Sequence, residues 1–243
     1  MQMSDMFPKT KDMQVLCGLC GKLFDYTLYP DIHIPGDEKL KRKILNKTLF
    51  FPKCPHCKEE IKLKPVCMYR NDNKKEFFVV TDSTNEKILN LMKSGDIRLN
   101  DVKDDDDIVN LIKGFYKRRL VYDADAFREK ILLSDHNFDD RIIELMKLSL
   151  SGLLEKENHE SVYRIFLEDV DNNMLDFTAI MGKRPPFEYV NAKTSMMVYY
   201  YFRDKFLKKL GRPEDDEYVS TDQNWAKKSG LLKNMDSGFI APF

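Results

Sequence analysis

CGLC at residues 17–20 and CPHC at residues 54–57 are two CxxC motifs, and they determine how the N-terminal part of this chain folds. In a CxxC turn the backbone curls around one sulfur, so that nearby N–H groups can hydrogen-bond to the thiolate and the second sulfur points at the same ion. Two such turns together supply the four sulfurs of a closed, tetrahedral metal site. We therefore predict one metal ion bound by Cys17, Cys20, Cys54 and Cys57.

The residues around the two motifs set further expectations. The 33 residues between the motifs exceed the separation of about 15–20 residues that is usual for such pairs, so we expect a folded insertion there. Lys58 follows the second motif where Gly21 follows the first. If this position requires a positive φ, the lysine costs about 1 kcal/mol, which metal binding can offset.

The identity of the metal is less strongly indicated than its ligands. Tetrahedral sulfur ligation is typical of zinc and also of rubredoxin-type iron, and the ligand set alone does not separate the two. The insertion contains a lysine-rich helical stretch that a compact rubredoxin lacks, which favours zinc as the cofactor, with iron as the alternative. Four thiolates around Zn²⁺ carry a net charge of −2, which Lys22, Lys53 and Lys58 help to offset. Cys67 lies in an apolar run and is interpreted as a buried residue rather than a fifth ligand.

Composition indicates a protein of a reducing compartment. The chain has 243 residues, with 40 basic and 40 acidic side chains and five cysteines. The odd cysteine number argues against a disulfide framework, and the N-terminus lacks the apolar core of a signal peptide. No apolar run approaches the roughly 20 residues of a membrane span. Zero net charge disfavours a general nucleic-acid or acidic-membrane coat, so we expect a cytoplasmic protein that does not bind membranes.

The periodicity of apolar residues predicts an α+β fold with three parts. Residues 1–81 form a zinc-ribbon-like domain with the four-cysteine site, with strands at 22–29, 60–64 and 76–81 and a helix inserted between the motifs, within 37–47. Residues 82–156 form a helical region, with helices starting near residues 83, 104, 123 and 138. Residues 157–243 combine a β-hairpin (163–170 and 175–181) with helices at 194–210 and 221–232 and a loose tail.

Several stretches resemble the CpXC protein family of bacteria and archaea. They are VLCGLCGKLFDYTLYPDIHI, LFFPKCPHC and VCMYR within residues 15–69, and a second block at residues 117–147. The sequence departs from the family pattern at Gly18, where the family name implies proline, but both sulfurs of that motif are retained. The resemblance implies a zinc site at the four cysteines, and it implies no reaction.

The sequence contains no recognisable catalytic constellation. None of the four histidines falls in a metalloprotease or serine-triad pattern, and the four cysteines leave no need for His33 or His56 as a ligand. Because a site of four thiolates has no position for water, we expect a structural metal rather than an enzyme.

Three functions follow from these features. We expect a zinc-binding, non-catalytic interaction or regulatory protein whose partner is another protein. The first alternative is a zinc-ribbon nucleic-acid binder that contacts phosphates through a basic helix. The second alternative is a rubredoxin-like iron electron carrier. The basic residues of the first alternative are Lys39, Lys41, Arg42, Lys43 and Lys47.

Overall fold

The computed structural model describes residues 9–64, 66–82, 116–212 and 220–232. This described part is mixed α+β, with three sheets and five helices. It divides into two compact units. The first unit contains the described residues up to Arg128 together with Arg212, and the second contains Glu129–Gly211 and residues 220–232.

The first sheet is a two-stranded antiparallel ribbon. Strands β1 (Lys11–Leu16) and β2 (Leu23–Leu28) pair in a register that runs from Lys11 opposite Leu28 to Leu16 opposite Leu23. One side of the ribbon faces the body of the unit, since Val15 is buried and the Tyr26 hydroxyl donates a hydrogen bond to the Leu49 carbonyl. The predicted strand at 22–29 is confirmed.

The second sheet has four strands and carries the core of the first unit. Its order is β3 (Asp31–Ile34), β4 (Cys67–Asn71), β5 (Glu76–Val80) and β6 (Lys117–Val121). Strand β4 is parallel to β3 and antiparallel to β5, and β6 is parallel to β5. Helix α1 (Glu38–Leu45) lies between β3 and β4 in the sequence and confirms the inserted helix. Tyr69 of β4 stacks on Phe78 and meets the edge of Phe127.

The prediction of a strand at residues 60–64 is wrong. Glu60 makes an isolated bridge with Lys53, and residues 61–64 do not form a strand. Ile61 N–H and Leu63 N–H donate to the carbonyls of Pro52 and Phe50 at 2.9 Å each. Because Pro52 has no N–H, it cannot return a hydrogen bond, and a regular ladder does not form.

The region 82–156 is not helical throughout. Residues Lys117–Val121 form strand β6, in which Lys117 and Arg119 are buried. Charged residues at buried positions conceal the apolar pattern that marks a strand, so periodicity does not identify it. Helix α2 (Ala124–Asp135) and helix α3 (Asp140–Asn158) confirm the predicted helices that start near residues 123 and 138. The helices predicted near residues 83 and 104 lie outside the described residues.

The C-terminal region contains a three-stranded sheet that includes the predicted hairpin. Strands β7 (Val162–Asp171) and β8 (Met174–Met181) confirm the predicted hairpin, and β9 (Glu188–Ser195) adds a third antiparallel strand. Half of the residues of strand β9 are exposed and its sequence has little apolar alternation, so its pattern does not indicate a strand. Helices α4 (Met196–Leu210) and α5 (Gln223–Ser229) follow and confirm the two helices predicted there. The tail predicted from residue 234 lies outside the described part.

The second unit contains a buried network of charged side chains. Lys147 Nζ donates to both carboxylate oxygens of Glu129 at 3.0 and 2.9 Å and to Glu144 Oε1 at 2.8 Å. Lys130 Nζ donates to Asp140 Oδ2 at 2.9 Å. Each of these five side chains belongs to a residue that is at most 3% exposed. Three carboxylates and two ammonium groups therefore share one interior region of α2 and α3.

Candidate metal centre

The two CxxC motifs form turns with the same hydrogen bonds. We call the turn at residues 17–21 the first knuckle and the turn at residues 54–58 the second knuckle. In the first knuckle, Cys17 N–H donates to the Lys22 carbonyl at 3.0 Å and Gly21 N–H donates to the Cys17 carbonyl at 2.9 Å. In the second knuckle, the equivalent bonds join Cys54 to Glu59 at 2.8 Å and Lys58 to Cys54 at 2.9 Å. The first knuckle is the turn of the ribbon, between β1 and β2.

Each knuckle ends on a residue in the left-handed region. Gly21 has φ 68° and Lys58 has φ 65°. The positive φ expected at Lys58 is therefore confirmed, and a residue with a Cβ occupies a conformation that favours glycine. The Lys58 ammonium donates to the Pro55 carbonyl within the same knuckle at 3.0 Å.

The knuckles bring the four predicted ligand sulfurs together. Cys17 Sγ lies 3.6 Å from Cys57 Sγ, and Cys20 Sγ lies 3.7 Å from Cys54 Sγ. All four sulfurs lie within 4.8 Å of one another. In a regular tetrahedron with metal–sulfur bonds of about 2.3 Å, the sulfurs are about 3.8 Å apart, so the four cysteines fit a single zinc or iron ion.

Hydrogen bonds from the knuckle backbone favour thiolates at two of the cysteines. The backbone hydrogen bond from Cys20 lowers the pKa of Cys17, against the opposing effect of burial. Burial acts to raise the pKa of Cys54, but backbone hydrogen bonds from Cys57 and His56 outweigh it and bring the pKa to about 7. Thiolates are the form that ligates a metal.

Cys57 behaves in the opposite way because burial and its neighbouring sulfurs raise its pKa. A backbone hydrogen bond from Glu59 acts to lower its pKa, whereas burial and the neighbouring thiols raise the pKa to about 12. Four sulfurs at these distances cannot all be thiolates without a cation among them. The cluster therefore has the donor set and the charge of a metal site.

The remaining candidate ligands, two histidines and Cys67, do not belong to the sulfur cluster. His56 is exposed on the second knuckle. His33 Nε2 lies 2.7 Å from Asp72 Oδ2 and 2.9 Å from an Arg70 nitrogen, so its ring is engaged in that cluster. Cys67 is fully buried in β4, as predicted, and burial raises the pKa of its thiol. In the described ranges, the four knuckle cysteines form the one group of metal-ligand side chains.

The five predicted nucleic-acid contacts are only partly brought together. Lys39, Arg42 and Lys43 are exposed, and their spacing of three and four residues places them on one face of α1. Lys41 is half-buried, and its position in the helical repeat places it away from that face. Lys47 follows the end of α1 and is also half-buried.

The arrangement of the knuckles agrees with a family assignment. The model of the CpXC protein family matches residues 15–147, which is more than half of the chain. The chain belongs to the CpXC protein family. The match begins in β1, includes both knuckles and the second sheet, and ends in α3, so it confirms the resemblance read from the motifs. No curated protein and no solved structure matches this CpXC protein.

Two further features of this CpXC protein concern its helices and its exposed surface. Among the described residues, no helix is long and apolar enough to cross a membrane. Leu16, Leu19 and Leu23 are exposed around the first knuckle, at 61%, 70% and 53%. Sequence reasoning did not single out these leucines. A pattern that indicates their exposure is present in the sequence. Leu16 and Leu23 share their strand sides with the polar residues Asp12, Gln14 and Asp25, and polar residues at alternate positions mark a side that faces solvent.

Gly21→Ala is expected to destabilise the metal-bound protein by about 1 kcal/mol, because alanine disfavours the φ of 68° at this position. Gly18→Ala is the matched control in the same knuckle. A Cβ at either position meets no atom within 4 Å, and Gly18 lacks a left-handed φ. The control is therefore expected to change stability by less than about 0.5 kcal/mol. Chemical denaturation of the zinc-loaded proteins measures both effects, and equal losses would contradict this account of the knuckle.

Proposed function

We propose that this CpXC protein is a non-catalytic interaction or regulatory protein with a structural Zn²⁺ bound by Cys17, Cys20, Cys54 and Cys57. The observation that carries the proposal is that two equivalent knuckles place four sulfurs within 4.8 Å of one another. Four thiolates complete the tetrahedral coordination of zinc, so the site has no position for a reacting water. The metal then acts on the fold rather than on a substrate.

The ribbon explains why the fold needs a metal. A two-stranded ribbon is marginally stable by itself, and one side of this ribbon is exposed to solvent. Structural zinc contributes about 10 kcal/mol or more to small domains of this kind. Zinc would join the first knuckle, at the end of the ribbon, to the second knuckle some 33 residues later. In this proposal the two knuckles form a zinc-ribbon-like unit with β3 and α1 inserted between them.

Substitution with Co²⁺ tests whether the site is closed. Tetrahedral cobalt with four thiolates absorbs strongly in the visible range, and its spectrum responds to any additional ligand. We expect the Co²⁺-loaded protein to show a four-thiolate spectrum that excess imidazole leaves unchanged. A spectrum that shifts with imidazole would reveal an open coordination position and would overturn the structural role of the metal.

Nucleic-acid binding is the second candidate, and the exposed face formed by Lys39, Arg42 and Lys43 supports it. Three phosphate contacts to a single strand predict that log K falls with log salt with a slope of about −2. Charge reversal of these three residues would abolish that binding. Lys156, Lys227 and Lys228 are exposed lysines whose reversal gives a control with the same net charge. The neutral charge of the whole chain favours the interaction protein instead.

The cysteine content supports a reducing compartment such as the cytoplasm. None of the five cysteines forms a disulfide, and a zinc site of four thiolates requires that its four ligand cysteines remain reduced. The partner that we propose is another protein.

A further inference from the structure

The outward side of the ribbon is apolar at the knuckle end. Leu16 and Leu23 are directly opposite each other in the register, and Leu19 lies in the turn between them. The three leucines are 53–70% exposed. Isolated exposed leucines are common on protein surfaces, but a contiguous group at the end of a strand pair is typical of a contact site.

The same side of the ribbon becomes acidic away from the knuckle. Successive residues of a strand alternate between its two sides, so Asp12 and Gln14 lie on the side of Leu16, and Asp25 and Thr27 lie on the side of Leu23. Asp12 Oδ1 accepts a hydrogen bond from Thr27 at 2.7 Å, and Asp25 Oδ1 accepts one from Gln14 at 3.4 Å. Both partners are neutral, so these bonds do not neutralise the carboxylates.

An open depression of about 570 Å³ follows this acidic part of the ribbon. Its lining includes two register pairs of the outward side, Asp12 with Thr27 and Gln14 with Asp25. The pair between them, Met13 with Tyr26, also lines the depression, although alternation assigns it to the other side of the ribbon. The depression thus adjoins the Leu16–Leu23 pair, which lies two positions further along the ladder.

We propose that this side of the ribbon, from the exposed leucines to Asp12, is the docking surface for a segment of another protein. The segment carries one or two large apolar side chains and a lysine or arginine further along. The apolar groups cover the leucines and the cation faces Asp12 and Asp25. These carboxylates lie two to four residues from the leucines, which is about 7–13 Å along a strand. The proposal rests on the proposed function, because the zinc would hold the leucine-bearing turn in place.

The charge of the surface selects this occupant over others. Asp12 and Asp25, on the same side of the ribbon as the leucines, repel phosphate, which disfavours nucleic acid and anionic lipid headgroups. A second copy of this chain would bring like charges together if the same side of each ribbon met face to face. A cationic segment is attracted by Asp12 and Asp25, and its apolar side chains are covered by the leucines on the same side of the ribbon.

A random-peptide display library tests the proposal on the full-length, zinc-loaded protein. Selection on the wild type is combined with counter-selection on the Leu16→Ser/Leu23→Ser variant. We expect the enriched peptides to combine apolar residues with lysine or arginine. The best of them, made synthetically, should bind the double variant about tenfold more weakly than the wild type. Asp12→Asn/Asp25→Asn should weaken binding severalfold and reduce its salt dependence.

Leu207→Ser is the control for general loss of an exposed leucine, since Leu207 is 40% exposed on α4. This variant should leave binding unchanged.

Acidic enriched peptides, or no enrichment over the counter-selection, would overturn the proposal. So would self-association or binding to anionic vesicles that is lost in the Leu16→Ser/Leu23→Ser variant. The zinc content of each variant distinguishes failure of the docking surface from failure of the proposed structural zinc site. A zinc-loaded protein that selects no peptide contradicts the docking surface alone, whereas a folded protein without zinc contradicts the proposed function.

Discussion

Cys54→Ala is expected to release the metal and to unfold the metal-bound part of the chain at 25 °C. Structural zinc contributes about 10–16 kcal/mol in small domains. Whole domains have a stability of about 5–15 kcal/mol, so loss of one thiolate removes more stability than the fold has in reserve. Metal content of the purified variant and thermal unfolding followed by circular dichroism measure the effect.

Cys67→Ala is the matched control for this substitution. Cys54 and Cys67 are both 0% exposed, so the two alanines leave cavities of the same kind. Only Cys54 belongs to the sulfur cluster. Cys67→Ala should keep its metal and lose about 1–2 kcal/mol. If both variants bind metal and unfold at the same temperature, the cluster does not support the fold.

Lys147→Met is expected to destabilise the second unit by about 3–5 kcal/mol, because it leaves Glu129 and Glu144 without the ammonium group that both of them contact. Methionine has a similar length and no charge, so the loss reports on the ion pairs rather than on a cavity. Urea denaturation followed by the fluorescence of Trp225, which belongs to the same unit, measures the effect.

Two comparisons make this prediction specific. Lys156→Met removes an exposed lysine from the same helix and should change stability by less than about 0.5 kcal/mol. Burial raises the pKa of Glu144, in opposition to the two lysines. Glu144→Gln in the Lys147→Met background should therefore recover more than about 1 kcal/mol, since it removes a buried charge that has lost its closest partner and retains only Lys130 at 3.9 Å. Strictly additive effects would show that the two side chains are not coupled.

The stabilisation by Lys147 also has a defined pH range. Burial acts to lower the pKa of Lys147, but the carboxylates of Glu129 and Glu144 outweigh it, so the pKa lies above the ordinary value of 10.5. A base whose pKa is raised on folding contributes its full stabilisation below the unfolded value and loses it as the pH rises through the folded value. The cost of Lys147→Met should be constant from pH 7 to about 10 and should shrink above 10.5. A cost that already declines between pH 7 and 9 would contradict the ion pairs.

The sequence predicts those parts of the fold that depend on local chemistry. A CxxC turn positions its own sulfurs, so the ligand cluster and the positive φ at Lys58 follow from short motifs. Helix α3 and strands β7 and β8 follow from strong periodicity over 8 to 19 residues. Each of these elements carries its signal within its own sequence.

The parts that escape prediction depend on partners distant in the sequence. Strand β3 has four residues, and its parallel partner β4 begins more than 30 residues later. Strand β6 buries Lys117 and Arg119, so its charged residues indicate a surface segment where the fold makes an interior one. The exposure of Leu16, Leu19 and Leu23 likewise depends on which side of the ribbon the body of the unit covers. Such features are properties of tertiary packing rather than of local pattern.

Metal analysis of the protein purified without added metal, combined with its visible absorption spectrum, tests whether the four cysteines bind a structural zinc ion. We expect one zinc ion per chain, bound through the four cysteines that the knuckles bring together, and a colourless protein. One iron ion and a coloured protein that can be reduced would contradict the zinc assignment and favour electron transfer. A folded, metal-free protein would contradict the structural metal site itself.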